Sequence, residues 1–225
     1  MLNIIWDLDG TLIDSGRELN QCLELALKKS GLDIKKQTKP FIFGQTIDNI
    51  LKESFPLELL TDEILKKTIV SFREIYDNSD FNFTKPYIGI EEIIFDKTNF
   101  YHHIVTNKPD MPTNRILNKF KWSEYITSIR TPYSNMNSLN KGLQSKTELF
   151  SELITKFGSD VSSFIGIGDM KSDCIAAKEN NIVSVGILWG SGTREELSDC
   201  CGFLFDNTKQ LRDFLYDTNS RMVST

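Results

Sequence analysis

Short apolar runs recur along this chain of 225 residues, and most of them are continuous rather than alternating. Continuous runs are typical of strands that are covered on both faces. Between several of them lie helical patterns, such as the apolar stripe within Lys146–Phe157. This alternation predicts an α/β protein with a parallel sheet and helices on both of its faces. The predicted strands are Leu2–Trp6, Tyr101–Val105, Ile126–Ile129, Ser163–Ile167 and Ile182–Ile187.

Residues 15 to 83 interrupt this alternation. Helical patterns cover Glu18–Lys29, Thr46–Ser54 and Thr61–Tyr76, and no convincing strand lies between them. Because such an insertion cannot lie inside a doubly wound sheet, we expect an α/β core over 1–14 and 84–225 and a helical cap over 15–83. We expect the last residues, Asn219–Thr225, to be frayed.

Composition excludes several classes of protein. The net charge of −5 and the pI near 5.2 argue against a general binder of nucleic acids or of anionic membranes. No apolar run approaches the roughly 20 residues that span a bilayer. The spacing of the four cysteines matches neither a zinc site nor a disulfide framework, so we expect reduced thiols and a cytoplasmic protein. His102 and His103 are adjacent on a strand and point to opposite faces, which disfavours a shared metal.

Polar side chains follow three of the predicted strands. Asp7 and Asp9 follow the first strand, Thr106 and Asn107 follow the second, and Gly168 precedes a segment that carries Asp169 and Asp173. Lys146 opens the helix before that last strand. Because the carboxyl ends of parallel strands meet at one rim, these side chains are expected to converge there.

The chemistry of this set predicts phosphoryl transfer. Carboxylates without thiolate or imidazole suit a hard cation such as Mg²⁺, and a hydroxyl, amides and a lysine suit a phosphate group. Within the pair Asp7 and Asp9, one carboxylate is able to attack phosphorus while the other donates and accepts protons.

At these positions the chain resembles the haloacid dehalogenase superfamily. The resemblance rests on four motifs in order: Asp7-Leu8-Asp9-Gly10-Thr11, Thr106-Asn107-Lys108-Pro109, Lys146, and Gly168-Asp169 through Asp173. It implies a Rossmann-like core, dependence on Mg²⁺, Asp7 as nucleophile and Asp9 as acid and base. It also implies that the Asp7 carboxylate, the Asp9 backbone carbonyl and Asp169 hold the metal. Thr106, the Asn107 amide and Lys146 would hold the phosphate, with Asp173 in support.

Further segments are similar to the phosphoglycolate phosphatase-like group of that superfamily. They are the Thr106–Pro109 motif, Val185–Leu197, the helical insertion after the first motif, and Phe43-Gly44-Gln45 as a loop of the cap that faces the substrate. The presence of Asp9 argues against a true dehalogenase, which lacks that second aspartate. The segment around the lysine departs from the pattern of that group, because the prolines that usually follow the lysine there are missing. Lys141 is the alternative to Lys146 as the phosphate-binding lysine.

The leading hypothesis is a Mg²⁺-dependent phosphatase that hydrolyses a small phosphorylated metabolite, of the phosphoglycolate kind, through an aspartyl-phosphate intermediate. A phosphomutase of the sugar-phosphate type and an inorganic pyrophosphatase are alternatives on the same site. A non-catalytic phosphate-binding protein is the least supported reading, because no catalytic position is substituted. We expect no nucleic-acid or membrane partner, and a monomer or a homodimer.

Overall fold

A six-stranded parallel sheet lies at the centre of the first of two compact units. The computed structural model describes residues 1–132, 144–158 and 160–223. The first unit comprises Met1–Ile13 and the chain from Pro86 onward, and the second comprises Asp14–Lys85. The second unit therefore extends slightly beyond the predicted 15–83 at both ends.

The strands and helices follow the predicted alternation. Within the described residues the strands are β1 (Leu2–Trp6), β2 (Ile13–Asp14), β3 (Lys85–Pro86), β4 (Phe100–Val105), β5 (Ile126–Arg130), β6 (Phe164–Gly168), β7 (Val183–Ile187) and β8 (Phe203–Phe205). The helices are α1 (Gly16–Ser30), α2 (Ile47–Ser54), α3 (Asp62–Asp77), α4 (Ile90–Ile94), α5 (Asp110–Lys119), α6 (Lys146–Phe157), α7 (Lys171–Glu179), α8 (Arg194–Ser198) and α9 (Thr208–Val223). Single 3-10 turns cover Ile34–Lys36, Leu57–Leu59 and Val161–Ser163.

The order of strands in the main sheet is β5-β4-β1-β6-β7-β8, and every neighbouring pair is parallel. This is the doubly wound order of Rossmann-like folds, with the switch point between β1 and β6. All five residues of β1 are buried, as expected for a strand that is covered on both faces. The predicted fold class of the core is therefore confirmed, and β1 lies between the two strands whose ends carry the other motifs.

The second unit is helical. Helices α1 and α3 pack together, and the buried Thr68 hydroxyl donates a hydrogen bond to Ser30 Oγ at 2.8 Å. In its core the ring of Phe72 stacks on that of Tyr76, and Phe81 meets Tyr76 edge to face. The side chain of Glu18 accepts a hydrogen bond from the backbone N–H of Phe83 at 2.7 Å, which ties the start of α1 to the end of the unit.

The expectation that Asn219–Thr225 would be frayed is wrong for the residues that the structure describes. Helix α9 continues to Val223. Asn219 is buried: its Oδ1 accepts a hydrogen bond from the backbone N–H of Leu2 at 3.0 Å, and its Nδ2 donates one to Asn99 Oδ1 at 3.1 Å. The two contacts fasten this helix to β1 and to the residue before β4. Residues 224 and 225 lie outside the described part. None of the helices described in the structure is both long and apolar enough to cross a membrane.

Candidate active site

Asp7 lies directly after β1, at the edge of the sheet where the strands end. Its backbone N–H donates to the carbonyl of Ile167 at 2.9 Å, which continues the pairing of β1 with β6. The side chain is only 3% exposed. Its Oδ1 lies 2.8 Å from Lys146 Nζ, whereas Oδ2 has no hydrogen-bond partner among the described residues. A buried carboxylate oxygen without a partner is costly and indicates a place for a ligand.

Three carboxylates from different segments surround this point. One oxygen each from Asp7, Asp169 and Asp173 lies within 4.8 Å of the others, and all three side chains are buried. Lys146 Nζ contacts two of them, at 2.8 Å from Asp7 Oδ1 and 2.5 Å from Asp173 Oδ1. Three carboxylates and one ammonium leave a net negative charge in a buried site.

Local structure fixes Lys146 and Asp173. A capping box between Ser145 and Glu148 begins α6, so Lys146 stands in the first turn of the helix. Asp173 accepts a hydrogen bond from the backbone N–H of Met170 at 3.1 Å, in the first turn of α7. Both side chains therefore come from helix starts, where the backbone position is well defined.

Asp169 is held by neighbours that approach it closely. Thr11 Oγ1 donates to its Oδ1 at 3.2 Å, and the backbone N–H of Ser191 donates to its Oδ2 at 2.7 Å. Glycines make this possible: a Cβ at Gly10 or at Gly190 would collide with the Asp169 side chain. Gly10 also has φ +81°, a conformation that favours glycine.

Burial governs the titration of this cluster. Burial, reinforced by the nearby carboxylates of Asp173 and Asp169, raises the pKa of Asp7 well above its ordinary value. Burial and the charge of Asp173 raise the pKa of Asp169 to about 6. Burial alone would lower the pKa of Lys146, but the charges of Asp173 and Asp7 outweigh it and raise that pKa. The site thus stabilises positive charge and disfavours its own negative charge, as a site for a cation does.

Asp9 makes a different contact from Asp7. Its carboxylate is not in the three-membered cluster; its Oδ2 lies 3.0 Å from Lys108 Nζ, and both side chains are largely buried. Thr106 is buried beside the end of β4, and its Oγ1 accepts a hydrogen bond from the backbone N–H of Lys108 at 3.2 Å. Asn107, between them, is half-buried. The Thr106–Lys108 turn therefore links the predicted phosphate-binding segment to the second aspartate.

The structure brings most of the predicted site residues to one rim. The carboxylates of Asp7, Asp169 and Asp173 form one cluster, and Lys146 contacts Asp7 and Asp173. Asp9 pairs with Lys108, while Thr106 and Asn107 follow the neighbouring strand β4. Lys141, the alternative lysine, lies outside the described residues.

Sequence reasoning missed the roles of Lys108, Thr11 and the Ser191 backbone. Lys108 lies within the second motif, so its position was visible, but nothing in the sequence indicated that it pairs with Asp9. Thr11 is part of the first motif and Ser191 follows Gly190, yet both act on Asp169 through contacts that only the folded chain creates.

The residues present suit Mg²⁺. The cluster offers oxygen donors only, which is the donor set that hard divalent cations prefer. The unpartnered Asp7 Oδ2 provides an available ligand atom.

A Rossmann-like sheet with a buried carboxylate cluster and a lysine at its switch point defines an α/β enzyme with a polar centre at the strand ends. The profile of the haloacid dehalogenase-like hydrolase family matches residues 4–187. The chain therefore belongs to that family.

Three similar proteins agree with this assignment. A phosphoglycolate phosphatase from Neisseria meningitidis is 26% identical over 202 residues, which are 87% of this chain and 83% of the relative. A 5'-nucleotidase from Pseudomonas aeruginosa is 25% identical over 198 residues, 87% of this chain and 86% of the relative. The crystal structure of a candidate phosphatase from Clostridium difficile has a TM-score of 0.77 and 25% identity, and the match covers 95% of this chain and 97% of that one. The predicted phosphoglycolate phosphatase-like hydrolase of the haloacid dehalogenase superfamily is thus confirmed.

Proposed function

We propose that this hydrolase is a Mg²⁺-dependent phosphomonoesterase that acts on a small phosphorylated metabolite through a phosphorylated Asp7. The observation that carries the proposal is the state of the Asp7 carboxylate. Lys146 holds one of its oxygens, and the other oxygen is buried without a hydrogen-bond partner among the described residues. A carboxylate fixed in this way is oriented toward one ligand position rather than free to rotate.

In this proposal the carboxylates of Asp7 and Asp169 and the backbone carbonyl of Asp9 would hold Mg²⁺. When bound, the ion supplies the positive charge that lets an anionic nucleophile approach an anionic phosphate. Lys146, Thr106 and the Asn107 amide bind the phosphate oxygens in this proposal. Asp173 contributes by holding the Lys146 ammonium, its partner at 2.5 Å.

Two aspartates divide the reaction between them. The Asp7 carboxylate attacks phosphorus, an aspartyl–phosphate bond forms, and the bond from phosphorus to the ester oxygen breaks. The Asp9 carboxyl gives its proton to the departing ester oxygen, which leaves as an alcohol. Asp9 then takes a proton from a water molecule that attacks phosphorus, so inorganic phosphate leaves and Asp7 is regenerated.

The substrate class follows from the relatives only in outline. The phosphoglycolate phosphatase and the 5'-nucleotidase have different substrates, although their sequences are about equally identical to this chain. Both names describe the hydrolysis of a phosphomonoester. We propose a phosphoglycolate-like monoester as the first substrate to test, with a nucleoside monophosphate next. Residues 15–83 are proposed as a cap that selects the substrate, and Phe43 is the first of its residues to substitute.

The test is release of phosphate from an aryl phosphate and from a panel of phosphometabolites, with and without Mg²⁺. We expect turnover that EDTA abolishes and Mg²⁺ restores. Asp7→Asn should show no turnover, and Asp9→Asn should lower kcat by about 10²–10⁴-fold. The matched control is Asp199→Asn, which changes an exposed aspartate after α8 and should leave kcat unchanged. Turnover that survives in Asp7→Asn contradicts the proposed nucleophile.

A label separates hydrolysis from the two alternatives. In water enriched in ¹⁸O, a phosphatase places one labelled oxygen in the released phosphate. A phosphomutase instead retains the phosphoryl group in a sugar bisphosphate, and a pyrophosphatase is active on pyrophosphate but not on the esters. The phosphatase proposal fails if label enters no phosphate from any ester of the panel.

A further inference from the structure

A cluster of three thiols contains none of the residues that the proposed reaction uses. Cys174 belongs to α7, and Cys200 and Cys201 follow α8. Their three Sγ atoms lie within 4.8 Å of one another. Cys174 is buried and the other two are half-buried. No spacing motif in the sequence indicates this cluster, because tertiary packing brings position 174 to positions 200 and 201.

The turn after α8 fixes the two adjacent cysteines. The backbone N–H groups of Cys200 and Cys201 both donate to the carbonyl of Leu197, at 3.2 and 2.8 Å. The next residue, Gly202, donates to the carbonyl of Ser184 at 2.9 Å, which ties the turn to β7. On β7, a Cβ at Gly186 would come within 2.8 Å of Cys201 Sγ, so the absence of a side chain there makes room for this thiol.

We propose that Cys174, Cys200 and Cys201 together bind one thiophilic metal ion, Zn²⁺, at a site separate from the carboxylate cluster. Zn–S bonds of about 2.3 Å place sulfur atoms about 3.8–4.0 Å apart, so the thiols need to move by less than about 1 Å to close around the ion. Three sulfur ligands select soft d¹⁰ ions against Mg²⁺, which prefers oxygen. This proposal is independent of the phosphatase function.

The surroundings supply a fourth ligand position and a compensating charge. The Ser184 hydroxyl lies 3.2 Å from Cys174 Sγ, so its oxygen would be the nearest fourth ligand for an ion held by the three thiolates. Zn²⁺ converts three thiols into thiolates and releases three protons, which leaves a net charge of −1 on the complex. The exposed Lys171 is close enough to favour the charged form of Cys200: burial raises the pKa of that thiol to about 11, and the lysine acts in the opposite direction.

The thiol cluster and the carboxylate cluster meet at α7 without sharing ligands. Asp173 and Cys174 are adjacent, and successive side chains on a helix point about 100° apart. The same first turn of α7 therefore faces an oxygen-rich site on one side and a sulfur-rich site on the other.

The experiment titrates the reduced full-length chain with Cd²⁺, a spectroscopic substitute for Zn²⁺, with Mg²⁺ in excess to occupy oxygen sites. We expect thiolate-to-metal absorption in the ultraviolet that saturates at one equivalent. Competition with a chromophoric chelator then gives the affinity for Zn²⁺. Each of Cys174→Ala, Cys200→Ala and Cys201→Ala should weaken binding by more than the roughly 10- to 100-fold that loss of an outer-shell partner costs. The control Cys22→Ala removes a buried cysteine of α1, far along the chain from the cluster, and should leave both measurements unchanged.

Three results overturn the proposal. The first is a reduced wild type that gives no charge-transfer absorption, and the second is binding that none of the three cluster variants weakens. The third is a disulfide within the cluster, detected by mass after exposure to air, in a protein whose reduced form binds no Zn²⁺. Thermal melts without metal show whether each variant folds. If Cys174→Ala does not fold, the binding measurement relies on Cys200→Ala, because substitution of a half-buried residue disturbs the core less than substitution of a buried one.

Discussion

The substitution Asp169→Asn should stabilise the metal-free protein while it abolishes its response to Mg²⁺. Asn keeps the size of the side chain and its two polar contacts, since it accepts from the Ser191 N–H and donates to Thr11 Oγ1. It removes only the buried negative charge. The wild-type charge is unfavourable because burial and Asp173 oppose it, and that cost is the basis of the expected gain in stability.

The magnitude follows from the pKa of Asp169. A rise from its ordinary value of 3.8 to about 6 corresponds to roughly 3 kcal/mol. Because the pKa is higher in the folded state, the folded chain binds more protons between these two values. The contribution of Asp169 to wild-type stability is therefore greatest below the lower value and is lost as the pH rises through about 6. At pH 8, Asp169→Asn should be more stable by on the order of 3 kcal/mol, or about 6–12 °C in Tm for a chain of this length.

The assay is thermal unfolding of metal-free wild type, Asp169→Asn and the control Asp199→Asn at pH 5 and pH 8. The difference between wild type and Asp169→Asn should shrink at pH 5, where Asp169 binds a proton. Mg²⁺ at about 100 times its Kd should stabilise the wild type by about 2.7 kcal/mol and leave Asp169→Asn unchanged. Asp199→Asn should move the free energy of unfolding by less than about 0.5 kcal/mol. A lower stability of Asp169→Asn than of wild type at pH 8, or a full response of this variant to Mg²⁺, would contradict the role assigned to the Asp169 charge.

Three further predictions concern the contacts around this site and the C-terminal helix. Lys108→Gln removes the ammonium that pairs with Asp9, so steady-state kinetics should show kcat reduced by about 10²-fold with little change in KM. Gly190→Ala places a methyl group against the Asp169 side chain, and chemical denaturation should show a loss of about 1–3 kcal/mol together with a weaker response to Mg²⁺. Asn219→Ala removes the 3.0 Å acceptor of the Leu2 N–H, which keeps the Asn99 carbonyl at 3.2 Å, and should cost about 0.5–1.5 kcal/mol in the same measurement.

Each of these has a matched control. Lys209→Gln changes an exposed lysine of α9 and should leave kcat unchanged. Gly16→Ala adds a methyl group that meets only ordinary contacts and should be neutral. Asp217→Ala changes an exposed residue of α9 and should have little effect. Equal effects of a variant and its control would contradict the role assigned to the corresponding contact.

The core of the fold was predictable because local patterns and tertiary structure agree there. The continuous apolar run Leu2–Trp6 forms β1 with the predicted bounds, and Lys146–Phe157 forms α6 with the predicted bounds because a capping box marks its start. Where the pattern is weak, sequence reasoning failed. β8 has three residues and was not predicted, and the polar end of α9 is ordered by the tertiary contacts of Asn219 rather than by an apolar stripe.

Residue types of the site were predictable, but their pairings were not. Asp7 and Asp9 were predicted to follow the first strand. Nothing in the sequence indicated that Lys146 would contact Asp7 while Lys108 would contact Asp9. Such pairings depend on the relative positions of β1, β4 and α6, which only the assembled sheet determines.

The strand order also determines when the site comes into existence. β1 lies between β4 and β6, so Asp7 acquires its neighbours only after long stretches of chain have been made. The hydrogen bond from Thr11 to Asp169 joins residues 158 positions apart. During synthesis, therefore, the first motif contacts Asp169 only after most of the core has been made. Closing such long loops is entropically costly. Phosphatase activity would then indicate that the chain has folded at least as far as β6, because Asp7 and Asp169 come together only when β1 pairs with β6.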